Sequence, residues 1–154
     1  MRAGTPAARA CRLTALVGGV LLLGAAPVGC AGSASDATAE QAREALYATL
    51  NETQRLLDVD FANQDDPTAR GCALGLWQEG DQFPALRVSA GATDASVTIA
   101  TVSQYWDELG YALTSSSVGS VRELQGENDS GEVVILRVSA DAITLQGESE
   151  CRPH

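Results

Sequence analysis

The sequence predicts an α+β fold, a two-layer sandwich in which an antiparallel sheet of four to five strands carries two helices on one face. Three features predict it: an amphipathic first helix with its own cap, a second apolar-striped segment that stops at a glycine, and a following run of short alternating strands joined by turn residues. Helices interspersed with hairpin-joined strands bury their apolar surfaces as two layers.

The first helix is expected over about 37–58. Thr38 and Gln41 form a capping box (T-A-E-Q), and Ala39, Ala42, Leu46, Leu50 and Leu57 recur as one apolar stripe. Its other face carries Glu40, Arg43, Glu44, Glu52 and Arg55, whose i,i+3 pairings explain the charges as a solvated surface. A polar stretch containing Pro67 reads as a loop over 58–71. A short strand is expected over 72–77, a turn-like segment over 78–84 and a half-buried strand over 85–90, where Leu86 and Val88 alternate with Arg87 and Ser89.

Segment 94–110 has two readings. Its β-branched residues from Val97 to Val102 suit a strand over 95–102 followed by a short helix. The helical spacing of Val102, Trp106 and Leu109 ahead of Gly110 favours a helix over 96–109 that turns those three side chains to the sheet. Beyond Gly110, strands are expected over 111–118, 120–124, 132–139 and 142–146, with turns through 126–131 and at 140–141.

The N-terminus reads as a targeting segment. Residues 1–12 hold three Arg and no acid, and 13–26 (LTALVGGVLLLGAA) is an apolar run of 14 residues, short of the roughly 20 that span a bilayer. Small residues follow, and Val28-Gly29-Cys30 resembles the lipobox of bacterial lipoproteins, with Pro27 where that pattern usually has Leu. The resemblance implies that Cys30 receives a diacylglycerol and becomes the mature N-terminus on the outer face of the cell membrane. The division expected is a signal peptide over 1–29, a lipid-anchored linker over 30–36 and one domain over 37–152, with ordinary cleavage and secretion as the alternative.

Cys11 then leaves with the signal and Cys30 with the lipid, so Cys72 and Cys151 remain to pair in an oxidising compartment. Neither sits in a CxxC, and the single His is the terminal His154, so a structural disulfide is expected rather than a redox or metal site.

All 20 acidic residues follow Cys30, together with 7 of the 10 Arg, giving 7 − 20 = −13 for that part of the chain. A surface so acidic repels phosphate backbones, which argues against nucleic acid as a partner. Without Lys or an internal His, a Ser or Thr nucleophile has only carboxylates as a base, so hydrolase triads are excluded. Asp58, Asp60, Asp65 and Asp66 crowd one loop as a weak cation site, but Asn63 and Ala69 stand where an EF-hand loop needs Gly and Glu. Trp77, beside a polar turn, is a weak ligand-binding candidate; Trp106, on an apolar stripe, reads as core.

Helix, Cys72, strand, Tyr105-Trp106-Asp-Glu-Leu-Gly110-Tyr111, strands and Cys151 resemble small lipoproteins of actinobacteria, a group that implies no activity for these residues. The function expected is a non-catalytic, membrane-anchored accessory or binding module, needing no cofactor, that contacts an envelope protein or a small ligand. The alternative is a cation- or carbohydrate-dependent envelope enzyme, a carboxylate-based hydrolase using loop 58–66. Convergent carboxylates beside an exposed Trp77 would mark the enzyme; separated, solvated acids over a closed core would mark the binding module.

Overall fold

The computed structural model describes residues 37–75, 77–91 and 94–154, which belong to one compact unit. The signal, Cys11, the lipobox and Cys30 lie outside the described residues.

Helix α1 spans Ala39–Leu57. Its capping box is reciprocal: the Gln41 amide N–H donates to Thr38 Oγ1 at 3.3 Å, and the Thr38 N–H donates to Gln41 Oε1 at 2.8 Å. Ala39, Ala42, Leu46 and Leu50 are buried along one stripe, joined by Thr53. The helix stops at Asp58, which takes a left-handed φ of 51° and sends its N–H to the Gln54 carbonyl at 3.2 Å.

Helix α2 spans Ala95–Glu108, so the helical reading of this segment holds. Asp94 caps it by accepting from the N–H groups of Ser96 and Val97 at 2.9 and 3.1 Å. At its end Gly110 has a φ of 88°, its N–H reaches the Asp107 carbonyl at 2.9 Å, and the Tyr111 N–H reaches Trp106 at 3.0 Å, a Schellman stop. Val102 and Trp106 face the sheet, whereas Leu109, expected beside them, is 48% exposed. Leu109 is the residue at which the chain turns out of the helix, so it no longer continues the stripe.

The strands are β1 Ala62–Asn63, β2 Arg70–Gly75, β3 Gln78–Gln82, β4 Pro84–Ala90, β5 Ala112–Val118, β6 Val121–Glu127, β7 Val133–Val138, β8 Ala142–Glu148 and β9 Arg152–Pro153. The main sheet is antiparallel in the order β1-β4-β8-β7-β6-β5, and β2-β3-β9 form a small second sheet. The fold is the α+β sandwich the sequence predicts, with six strands in the main sheet rather than four to five. The sixth strand is β1, contributed by the segment 58–71. The second sheet was not expected, and the segment 78–84, read as a turn, supplies its central strand β3. QEGDQ has no β-branched residue; β3 is held by pairing on both sides, with β2 and with β9. Cys72 on β2 and Cys151, just before β9, are joined by a disulfide across this small sheet, with Cα atoms 6.0 Å apart.

The helices cover one face of the main sheet. The core beneath them joins Leu46 and Leu50 of α1 and Val102 and Trp106 of α2 to Leu124, Val134, Leu136, Val138, Ile143 and Leu145 of β6, β7 and β8. Gly147 lets α1 sit this close without a shift of Leu46, because a Cβ there would fall 2.6 Å from Leu46 Cδ1. The Trp106 indole N–H donates to Thr53 Oγ1 at 3.0 Å, and that hydroxyl donates in turn to the Thr49 carbonyl at 2.9 Å, so the largest core side chain leaves no polar atom stranded.

Strand β4 departs from its expected orientation. Arg87, read as solvent-facing, is 1% exposed on the helix side, and Leu86 and Val88 lie on the helix-free side, half-buried. Arg87 Nη2 pairs with Asp65 Oδ2 at 3.0 Å, while its Nη1 donates to Asn51 and Gln54 of α1, each at 2.7 Å. Three polar partners, two from α1 and one from the loop before β2, make the guanidinium a tolerable core residue. Among the described residues no helix is long and apolar enough to cross a membrane.

Candidate functional site

The helix-free face of the main sheet carries a groove of about 440 Å³. Antiparallel register sets its floor in two rows, Pro84-Glu148-Val133 and Leu86-Gln146-Ile135, read across β4, β8 and β7. Each row has an apolar residue at either end and a polar one in the centre. Gln64, Asp66 and Arg70, from the chain leading into β2, form one wall. The Gln64 N–H donates to the Leu86 carbonyl at 2.7 Å, which pins that wall to β4.

The polar groups of the groove are partly committed to one another. Arg137 Nη1 donates to Gln146 Oε1 at 2.5 Å, and the same guanidinium reaches Glu123 at 2.6 Å, so Gln146 is oriented from one side. Arg70 lies 3.9 Å from Asp66, an exposed pair of small energetic value. Hydrogen bonds from the Thr68 N–H and the Thr68 side chain hold the Asp66 carboxyl below the usual carboxylate range, with Arg70 adding to the effect. Glu148 is an exposed carboxylate at the centre of the floor, with Gln82 Nε2 at 3.5 Å. An apolar body would find Leu86, Val133 and Ile135 on the floor, and a hydrogen-bond donor or cation on it would find Glu148. The volume falls in the range of small-molecule sites.

The acids of loop 58–66 are spread over separate tasks. Asp65 is the partner of Arg87 and also accepts from the Leu86 N–H at 3.1 Å. Asp66 caps the turn at Thr68, Asp58 ends α1, and the Asp60 carbonyl accepts from the Ser89 hydroxyl at 2.6 Å. Asp58 and Asp60 line a second, polar depression with Gln54, Arg55 and Asn63, where the Arg55 cation shares the space. Among the described residues no three His, Cys, Asp or Glu side chains converge as a metal site.

Trp77 lines neither depression. It is 98% exposed at the turn between β2 and β3 and has a φ of 74°, a conformation that costs a non-glycine residue roughly 1–2 kcal/mol.

One buried acid has no counterpart in the sequence reading. Glu132 is 5% exposed and accepts a hydrogen bond from the Tyr111 hydroxyl. Burial pushes its carboxyl above the usual range, against the opposing effect of that bond, and burial likewise pushes the Tyr111 phenol up. The Thr49 side chain also reaches the Tyr111 hydroxyl, the Glu132 N–H is tied to Asn128 Oδ1 at 3.0 Å, and the neighbouring ring is Trp106.

No strand was long or apolar enough to announce the groove. Its residues come from three strands and a loop, and Leu86, Val133 and Ile135 sit at the alternating positions that a sequence assigns to whichever face is buried. The signal available was that β7 (VVILRV) is apolar at nearly every position, more than one buried face requires.

The chain matches no family model and no curated protein. Its structure is similar to that of a DUF4853 family protein from Actinomyces odontolyticus, with a TM-score of 0.60 and 16% identity, over 75% of this chain and 66% of that one. This chain thus spans just under two thirds of the neighbour's length. At that identity the likeness shows a shared fold, found in an actinobacterial protein.

Proposed function

We propose that the protein is a non-catalytic binding module of the cell envelope, anchored through a diacylglycerol on Cys30, that holds a small amphipathic ligand in the groove on its helix-free sheet face. The observation that carries this reading is the groove itself: apolar side chains at both ends of each floor row, Glu148 and Gln146 at their centres, and no Ser, Thr or Cys nucleophile among its lining residues. That is the composition of a recognition site, with apolar area for affinity and a few polar groups for orientation. The dispersal of Asp58, Asp60, Asp65 and Asp66 supports it over the enzyme reading, which needs them together.

Two measurements test the proposal. Ligand-observed NMR of the full chain with a panel of small amphipathic amines and alcohols should give binders that compete for one site and are lost in Ile135→Glu. Binding that survives Ile135→Glu, or no binding by any member of the panel, would overturn the groove. Cys30→Ala should move the protein from the membrane fraction to the medium or stall its processing; unchanged detergent partitioning and mature mass would overturn the anchor.

A further inference from the structure

We infer that the β2–β3 turn is a second membrane contact, in which the indole of Trp77 enters the interfacial region of the bilayer that carries the anchor. The inference rests on the lipid anchor at Cys30 proposed above. It starts from Trp77, which no packing explains: the ring is 98% exposed, and its backbone is held in a left-handed conformation that bulky residues seldom adopt. Other exposed apolar side chains, such as Val97 on α2 and Val118 on β5, are aliphatic and scattered. Residues 71–78 carry no charge, in a chain whose part after Cys30 carries 7 − 20 = −13. The turn is therefore an uncharged tip on an acidic body.

The tip is firmly mounted. Cys72, three residues before Gly75 on the strand leading to it, is bonded to Cys151, and β3, the strand leaving it, is paired on both edges. The base of the mount also lies beside the N-terminal half of α1. Arg43, in the second turn of α1, lies 4.8 Å over the ring of Phe83, the residue between β3 and β4. From Cys30 to Thr38 is 38 − 30 = 8 residues, a reach of at most about 27 Å. Strand β3 carries the chain about 17 Å from Gln82 to Trp77, a length comparable with that reach.

A bilayer fits the tip better than a protein pocket does. An indole seats its apolar body and its N–H at the headgroup level without a matched cavity, and Trp is enriched at that depth. The charge nearest the tip in sequence is the exposed Glu79, two residues past Trp77, and with the acidic body it favours neutral over anionic headgroups. The anchor supplies the high local concentration that lets one side chain bind measurably.

The test uses the full chain, extracted from membranes with its lipid and reconstituted into phosphatidylcholine vesicles with brominated acyl chains. Trp106 is fully buried, so contact quenching by bromine reads Trp77. Flotation with the vesicles reads the anchor separately. Wild type and Trp77→Ala should both float, and only wild type should show a blue-shifted, quenched emission component. Flotation of wild type without quenching, with Trp77 still open to an aqueous quencher, would overturn the inference and leave a protein pocket as the occupant. If neither protein floats, the anchor reading fails; a titration of the unanchored chain with the same vesicles then decides the tip, quenching supporting it and its absence overturning it.

Discussion

Arg87 and Glu132 are the two buried charged side chains among the described residues, and they are handled in opposite ways. Arg87 is surrounded by acceptors from α1 and the loop before β2, so its charge is met where it lies. Removing Asp65 would leave the guanidinium buried without its counter-charge, and Asp65→Ala should cost about 3–5 kcal/mol in denaturant unfolding. Asp60→Ala, with an exposed side chain and only its backbone carbonyl engaged, should cost less than about 0.5 kcal/mol. Equal losses at both positions would show that the loop acts as one cluster. Glu132 is instead buried with a single phenolic donor on its carboxyl, and its folded pKa lies above its unfolded one. Between those two values the folded state binds more protons than the unfolded state, so stability falls as pH rises through that window. The penalty is absent below the unfolded pKa and complete above the folded one. Thermal melts between about pH 4 and pH 8 should show Glu132→Gln losing that decline, with the variant gaining on wild type as pH rises. A variant that tracks wild type across the range would mean that the Glu132 proton is not linked to folding.

At the scale of elements, Trp106 joins the two helices by geometry as well as by area. Its ring fills the space under α2, and its N–H reaches back to Thr53 on α1. Trp106→Ala should cost about 3–5 kcal/mol as a core truncation, while Asp107→Ala, on the exposed side, should be near neutral. Thr53→Val keeps the volume but strands the indole N–H, and about 1–3 kcal/mol of loss is expected from that atom alone. The helices were legible in the sequence because their signals are local: a reciprocal cap at Thr38 and Gln41, and a stop at Gly110 that works through its own φ. Strand β3 was not, because QEGDQ has no intrinsic preference for extended structure and becomes a strand by what flanks it. The facing of β4 was misread for a related reason. Alternation fixes which residues share a face but not which face is buried, and only the distant Asn51, Gln54 and Asp65 decide that Arg87 goes inward.

The whole molecule has one closed sheet face and one open one, on a body with a large excess of negative charge. The groove was illegible in the sequence because it exists only when β4, β8 and β7 lie side by side, an order that is not the chain order. The charge, by contrast, could be read directly, and it sets how the folded state responds to salt. Screening acts on two opposed terms. It weakens five ion pairs among the described residues that involve Arg, but those of Arg55, Arg70 and Arg137 are exposed enough to be worth about 0–1 kcal/mol each, and Arg87–Asp65 is shielded from salt by burial. It also weakens the mutual repulsion of the excess acids, 20 − 7 = 13 of them after Cys30, which the compact state holds closer together than the unfolded chain does. Repulsion should dominate. Raising ionic strength from about 0.01 M to about 0.15 M shortens the Debye length from about 30 to about 8 Å, comparable to the spacing of neighbouring surface charges. The urea midpoint should therefore rise with sodium chloride over this range at unchanged m-value. A midpoint that falls would mean that the ion pairs outweigh the excess charge, and that the acidity is organised into stabilising networks rather than spread as a solvated surface.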